Sequence, residues 1–285
     1  MKLNMLSKTF KHTMSCVVAP SLALGISFAA YADADSDLEP NISIGYHVGV
    51  ISDYRVRGIA QTSGDPALQG GIDLTTKPGF YVGTAFSNQT WVKELNGSTK
   101  GSIEWDVYGG FRAQVADTGF SYDVGVITYQ YPGNNSGKNA FASPSGTSNG
   151  ASGPFFPAGS YSNASTVEAY GDLTYGIYTF KYNRSLGSFL GNLNSSGSQY
   201  FDLSAAVAIP YGLTLTPHIG RQLIPGQGGV GDYTDLALTL SKDFGNGFSA
   251  TLAGLSTNAN RPFYSDKSGK YLGNRKITAG VVYSF

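Results

Sequence analysis

Apolar and polar residues alternate with a period of two through most of the chain beyond residue 41. The last nine residues show this most clearly, because apolar side chains fill every second position from Ile277 to the terminal Phe285. A period of two predicts a β-strand with one apolar and one polar face. Twelve segments with this pattern can be placed, at 42–56, 67–76, 80–90, 102–115, 119–131, 165–175, 177–185, 199–209, 212–222, 233–243, 247–257 and 275–285.

The connections between these segments alternate between short and long. Every second connection is a tight turn, and the last of these contains the pair Asn246-Gly247, which suits the positive φ angles of a hairpin. The other connections are longer and rich in Gly, Ser, Asn and Pro, and the longest covers 132–163. Transmembrane barrels have short periplasmic turns and long extracellular loops, whereas a Greek-key sandwich, the alternative, has no reason to alternate. The sequence therefore predicts an all-β fold, a transmembrane antiparallel up-and-down β-barrel of about twelve strands.

The start of the chain has the features of a secretory signal peptide. A lysine-containing segment precedes an apolar stretch over 14–30, and residues 30–32 form an A-x-A cleavage site. A membrane anchor is the weaker alternative, because a proline and a glycine interrupt the stretch and it is shorter than the roughly 20 apolar residues of a spanning helix. We predict that 1–32 is removed on export, that 33–41 is a short periplasmic segment, and that 42–285 is a single barrel domain.

Composition agrees with a barrel and argues against several other classes. The one cysteine, Cys16, lies in the predicted signal peptide, so the mature chain can hold neither a disulfide nor a zinc–thiolate site. Only 13% of the residues are charged and the mean hydropathy is −0.11, as expected where a lipid-facing apolar wall alternates with a polar lumen. Three of the 19 basic residues precede position 33 and all 19 acidic residues follow it, so the mature formal charge is −3. This is no basic footprint, and no nucleic-acid partner is predicted.

Charged residues with inward parity identify a candidate pore lining. Three of them occupy successive inward positions at the end of the first predicted strand. Others lie in the fourth predicted strand, and two of these, Glu104 and Asp106, are at a similar predicted height. Two interpretations stay open: a charged constriction that selects solutes, or a salt-bridge network that braces the wall. The predicted pore-lining residues are Asp53, Arg55, Arg57, Glu104, Asp106 and Arg112.

The sequence predicts no catalytic residue, no cofactor and no metal. The G-x-S-x-G match at 146–150 lies in a low-complexity loop rather than at a strand–helix elbow. The G-x-G-x-x-G match at 226–231 has no βαβ unit around it. His47 and His218 take inward parity on different strands without a recognisable ligand set, so they are predicted to line the lumen.

Several motifs are shared with a known family. They are VGVISDYRVRGIAQT at 48–62, PALQGG at 66–71, GFYVGT at 79–84, EWDVYGG at 104–110, and FSYDVGV with YQYPG within 120–133. The chain resembles the TorF-type porins of Gram-negative bacteria, specifically over about 45–133 and more loosely from there to Phe285. The resemblance implies an outer-membrane location and a pore, and it supplies no substrate.

The predicted function is passive diffusion of small hydrophilic solutes through an outer-membrane channel. Two alternatives remain: an outer-membrane enzyme of phospholipase or deacylase type, and a structural or adhesion barrel with a plugged lumen. The loop 132–163 either enters the lumen or lies on the surface. The expected partners are outer-membrane lipid and lipopolysaccharide, the barrel-assembly machinery through Phe285, and the solutes, while the oligomeric state stays open.

Overall fold

The computed structural model describes residues 41–136, 138, 141–142, 155–156 and 161–285. The predicted signal peptide, nearly all of 33–41 and much of the loop 132–163 lie outside these residues. No helix in the described part of the chain is long and apolar enough to cross a membrane. The elements are β1 (Ile42–Ile51), β2 (Arg55–Val56), β3 (Ile59–Ala60), β4 (Ala67–Thr76), β5 (Phe80–Asn88), α1 (Trp91–Glu94), β6 (Ile103–Gln114), β7 (Phe120–Gln130), β8 (Phe141–Ala142), β9 (Phe155–Phe156), β10 (Thr166–Tyr175), β11 (Tyr178–Ser185), β12 (Gln199–Ala205), β13 (Val207–Ile209), a 3₁₀ turn (Pro210–Gly212), β14 (Leu213–Leu223), β15 (Tyr233–Gly245), β16 (Phe248–Thr257) and β17 (Lys276–Ser284).

The long strands form one closed antiparallel ring. β1 pairs with both β4 and β17, so the first and last wall strands are neighbours. β12 and β13 run as one wall strand interrupted at Ala206, and both pair with β14, which gives twelve wall strands in all. The predicted all-β, up-and-down antiparallel barrel is therefore confirmed.

Short and long connections alternate around the ring, as predicted. The short turns lie at one end of the barrel together with Phe285, and we call this the short-turn end and the opposite one the loop end. Three short turns hold a non-glycine residue at positive φ: Asp117 at 57°, Tyr211 at 69° and Asn246 at 51°. The amides of Tyr46 and Phe285 each donate to the carbonyl of the other at 2.9 Å, so pairing continues to the last residue.

The two faces of the wall differ as the alternation predicts. Large apolar side chains at outward positions are exposed, among them Ile44, Val50, Leu68 and Trp105. An apolar exposed surface that surrounds the whole molecule is expected against lipid rather than against water. Inward positions carry carboxylates, lysine, histidine, tyrosines, serines and threonines instead.

The first wall strand is shorter than the sequence predicts. β1 ends at Ile51 rather than at 56, although the alternation of residue types continues. Ser52 makes the last bonds to the wall, because its amide donates to the Ala279 carbonyl at 2.8 Å and its hydroxyl accepts from the Ala279 amide at 2.9 Å. The chain then turns into the barrel, where its polar side chains find partners that a straight strand could not reach.

Candidate functional site

The connection between β1 and β4 enters the mouth of the barrel at the loop end. We call residues 52–66 the inner loop. Its two short strands, β2 and β3, are joined by Arg57 at φ 50° and Gly58 at φ 79°. Asp53 and Tyr54 are only 0% and 1% exposed, so other parts of the chain enclose these two residues of the loop. Charged and polar groups buried to this extent require hydrogen-bond partners.

Arg55 attaches the inner loop to the connection between β16 and β17. Its Nε donates to Asp53 Oδ2 at 2.9 Å, and its Nη2 donates to Asn274 Oδ1 at 2.7 Å. Its Nη1 donates to the backbone carbonyls of Gly58, Leu272 and Asn274 at 2.9–3.2 Å. Because these contacts engage all three guanidinium nitrogens, Arg55 braces the loop rather than presenting a charge to the lumen.

Tyr54 attaches the inner loop to β6. Its hydroxyl donates to Glu104 Oε1, and the hydroxyl of Tyr131 donates to Glu104 Oε2 at 2.7 Å. Burial, reinforced by the negative charge of Glu104, raises the pKa of Tyr54 well above its ordinary value. The same two causes raise the pKa of Tyr131. Both phenols therefore stay protonated as donors to this one carboxylate.

Arg57 connects the inner loop to the opposite wall of the lumen. Its Nη2 lies 2.6 Å from Glu168 Oε2 on β10, and its Nη1 donates to Gln222 Oε1 on β14 at 2.8 Å. Its guanidinium also lies 4.4 Å from the ring centre of Tyr200 and 5.6 Å from that of Phe189. β10 and β14 are five and four wall strands from β1 in the two directions around the ring, so these contacts are on the opposite wall.

Arg57 stays positively charged although it is buried. Burial alone would lower the pKa of the guanidinium, but its electrostatic and hydrogen-bonding contacts, led by the adjacent carboxylate of Glu168, together raise it. The pair is almost completely enclosed, with side chains 8% and 1% exposed. Asn183 donates a further hydrogen bond to Glu168 at 3.3 Å. The inner loop is thus attached at both walls by charged, buried contacts.

The predicted site residues fall into two groups. Asp53, Arg55, Arg57 and Glu104 take part in the inner-loop network, but the first three lie on the loop and not, as predicted, on a straight strand face. Asp106 follows on the inward face of β6 and is 1% exposed. Arg112 is separate, nearer the short-turn end, with its guanidinium 4.5 Å from the ring centre of Tyr81.

Sequence reasoning missed several residues that complete this site. Glu168 occupies an inward position of β10, yet nothing in the sequence links it to a residue 111 positions away. If β1 continued straight, Tyr54 would face outward. It faces inward because the chain leaves the wall after Ser52. The residues not predicted as part of the site are Tyr54, Tyr131, Glu168, Tyr200 and Gln222.

Pairs of oppositely charged side chains line the wall beneath the inner loop. Lys181 Nζ lies 3.0 Å from Asp172 Oδ2 on the neighbouring strand. His218 lies between two carboxylates, with Nδ1 2.5 Å from Asp202 and Nε2 2.7 Å from Asp235. No group of three or more side chains suited to hold a metal is found in the described ranges. These contacts brace neighbouring strands, and both signs of charge face the lumen.

Nearer the short-turn end, most inward positions of β14 to β16 hold small, polar and uncharged residues. These positions are partly accessible to water rather than buried. This side of the lumen is therefore wet, whereas the inner loop and its neighbours fill the mouth, and tyrosines of β5, β6 and β10 bury the inner wall on the other side. These accessible wall residues are Thr214, Thr216, Thr239, Ser241, Ser249 and Thr251.

Fold and site together define a closed β-barrel with an apolar exterior, a polar interior and a loop fastened across one mouth. Residues 32–285 match a family described as bacterial protein of unknown function (Gcw_chp), and the chain belongs to that family. Among curated proteins, none matches the sequence.

Solved structures with a similar overall shape include several barrels. A KdgM porin in complex with disordered oligogalacturonate is 9% identical, with 85% of this chain and 98% of that one covered and a TM-score of 0.46. The COG4313 outer membrane channel from Pseudomonas putida F1 is 11% identical, with 89% and 97% covered and a TM-score of 0.46. A NanC porin is 10% identical, with 85% and 99% covered and a TM-score of 0.44. At these values the likeness carries no weight for what this barrel binds or transports.

Proposed function

We propose that the protein is an outer-membrane channel of porin type for small hydrophilic solutes, and that the inner loop sets the width of its outer mouth. One observation carries the proposal: a closed ring with an apolar exterior encloses a polar lumen that is wet along β14 to β16, and the inner loop is fastened across that lumen. The signal-like segment 1–32 and the resemblance to TorF-type porins support the outer membrane as its location.

The number of wall strands supports a narrow pore. Eight-stranded barrels are filled by their own side chains, and barrels of sixteen or more strands leave a wide aqueous channel. Twelve strands lie between these limits, and the inner loop reduces the available cross-section further. The transported solutes are therefore small.

The charged residues of the mouth support weak ion selectivity. Arg55 and Arg57 are each paired with a carboxylate, Asp53 and Glu168, so neither presents an uncompensated charge to a passing ion. In this proposal the inner loop with Glu104 and Asp106 forms the constriction, and Arg112 lines the lumen below it.

Single-channel recording in planar phosphatidylcholine bilayers tests the proposal. Folded protein is expected to give discrete small conductance steps, and replacing 53–65 by a short Gly–Ser linker is expected to enlarge them. The matched control deletes 137–154 from the other long loop. A folded barrel that gives no steps would reject the channel, and a larger increase from the control deletion would assign the constriction to 132–163.

A plugged structural barrel is the second candidate, and the packing at the mouth favours it. Asp53, Tyr54 and Thr62 are at most 1% exposed, as in a protein core. Liposome swelling separates the two functions, since a channel admits a small sugar and a plug does not. If only the linker variant of the inner loop admits the sugar, the native protein is a plugged barrel.

No arrangement around His218 favours an enzyme. A hydrolase would need a serine next to a histidine, but both ring nitrogens of His218 face carboxylates, those of Asp202 and Asp235.

A further inference from the structure

The outward positions of the wall are not uniform in charge. Near the loop end, β11 and β14 present Arg184 and Arg221 outward, and Arg275 occupies the outward position just before β17. All three side chains are exposed. On the other half of the ring, the outward positions of β1, β4 to β7 and β10 hold no arginine or lysine. One side of the barrel therefore carries three outward arginines near the loop end, which we call the cationic rim.

The register gives the spacing of this rim. Arg184 pairs with Gln199 on β12, and Arg221 pairs with Phe201 on the same strand, so the two arginines are two strands apart. Arg275 lies three strands beyond Arg221. With neighbouring strands about 4.8 Å apart, successive arginines are roughly 10–15 Å from one another. This spacing suits separate anionic groups on one large molecule rather than a single phosphate.

The three arginines have no carboxylate partner within the described residues. Arg221 makes one weak contact, a hydrogen bond from Nη1 to Thr234 Oγ1 at 3.3 Å. Lipid-facing arginines are costly at the bilayer centre and become nearly neutral at the interface, where head groups supply counter-charge. Their counterions are therefore expected to come from outside the chain.

A groove of about 610 Å³ lies on the same side of the wall, directly below Arg275. One register row crosses it: Pro217 pairs with Leu238, Leu238 with Gly254, and Gly254 with Ile277. Because Gly254 has no side chain, the row is depressed between its two branched apolar neighbours. A Cβ added at Gly254 would meet nothing within 4 Å, so this space is open. The groove is apolar with a cation at its upper rim.

We propose that the outer wall of β14 to β17 binds one phosphorylated, multiply acylated glycolipid, the lipid A part of lipopolysaccharide. An acyl chain lies in the groove over Gly254, and phosphates bind Arg275 and Arg221. The proposal rests on the outer-membrane location proposed above. A cationic rim over an apolar groove matches a molecule with anionic groups above and hydrocarbon below.

Binding of purified lipid A to the folded barrel in detergent, followed by native mass spectrometry, tests this site. Gly254→Leu fills the groove and Arg275→Gln removes a charge-assisted contact, and each is expected to weaken binding about tenfold. The matched controls are Gly171→Leu, an outward glycine on β10 where a Cβ meets only ordinary contacts, and Lys242→Gln near the short-turn end. Both controls are expected to bind like the native protein.

A second arm uses only the native protein, so it does not depend on the folding of a variant. Enzymatically dephosphorylated lipid A is expected to bind about tenfold more weakly than intact lipid A. Equal binding of the two forms, equal weakening by Gly171→Leu and Gly254→Leu, or equal binding of phosphatidylglycerol would each overturn the proposal. Conductance is recorded separately in bilayers without lipopolysaccharide, so loss of lipid binding and absence of a channel are distinguishable.

Discussion

Arg57 shows how a single residue can fasten a loop across one end of the barrel. Its guanidinium is buried between Glu168, Gln222 and the ring of Tyr200 on the wall opposite its own strand. A buried ion pair is weak evidence for net stabilisation, because desolvation offsets much of the attraction. Removing one partner is different, since the other charge is then left buried and uncompensated.

Arg57→Ala is therefore expected to destabilise the folded barrel by about 3–5 kcal/mol. Glu168→Ala should have a similar cost, and the double variant should cost clearly less than the sum of both. The measurement is the free energy of unfolding in urea for the refolded barrel, in a double-mutant cycle. Arg184→Ala, at an exposed outward position, is the control and is expected to stay within about 0.5 kcal/mol. Additive single effects would contradict the coupling.

Inward glycines are a second feature at this scale, because tyrosine rings lie against them. Gly125 pairs directly with Tyr170, and a Cβ on Gly125 would lie 2.5 Å from the Tyr170 hydroxyl and 2.6 Å from the Gly109 carbonyl. Gly83 stands in the same relation to Tyr108. The glycines let these rings lie along the wall instead of projecting into the lumen.

Gly125→Ala is expected to destabilise the barrel by about 1–3 kcal/mol, because the added methyl must displace a packed ring or the backbone. Gly45→Ala is the matched control: it is also inward, on β1, and a Cβ there meets nothing within 4 Å. Urea unfolding of both variants checks this. Equal effects would show that the cost belongs to glycine replacement in general and not to the tyrosine contact.

At the scale of elements, the inner loop is the part that the sequence did not predict. The alternation of residue types continues from Ile51 to Val56, so the pattern predicted five more residues of wall strand. An alternation with a period of two shows which residues prefer a polar environment. It does not show whether that environment is water in the lumen or a carboxylate on the far wall. The wall strands themselves were predictable, because each must hide one face from water and expose the other.

The attachment of the inner loop through Tyr54 gives a pH dependence. Burial, together with the charge of Glu104, raises the pKa of Tyr54 in the folded barrel, whereas in the unfolded chain tyrosine ionises near about pH 10. Above that pH the folded state holds more protons than the unfolded state, so this contribution to stability is complete below about pH 10 and is lost as the pH rises.

Tyr54→Phe is accordingly expected to reduce the alkaline loss of stability without abolishing it, since Tyr131 responds in the same direction. Urea midpoints at about pH 8, 10 and 11 measure the slope. Tyr211→Phe, at a position 86% exposed, is the control and should leave the slope unchanged. An unaltered slope in Tyr54→Phe would remove this phenol from the explanation.

At the scale of the whole molecule, the last residue belongs to the wall. The ring of Phe285 stacks on those of Tyr46 and Tyr283, with centroids 5.5 Å apart in each case. The predicted reading of this aromatic end by the barrel-assembly machinery requires that Phe285 be accessible before the ring closes. In the folded barrel it is still 66% exposed.

Phe285→Ala is expected to lower the amount of folded barrel in the outer membrane severalfold while changing refolding in detergent little, because an aromatic contact contributes only about 0.5–1.5 kcal/mol. Heat-modifiable migration on gels measures both. Phe244→Ala removes a similarly exposed aromatic, 61% exposed, at the same end of the barrel and is the control. Equal losses in both variants would remove the special role of the terminal position.

The hydrogen-bonded seam between β1 and β17 means that the wall has no intrinsic beginning. Because residue 41 and Phe285 lie at the same end as the tight turns, a short linker could join them and new termini could be opened at 210–212 with every wall pairing retained. Such a circular permutant would carry an internal strand, rather than Phe285, at its carboxyl end. It would separate the requirements of cell-assisted insertion from those of spontaneous ring closure.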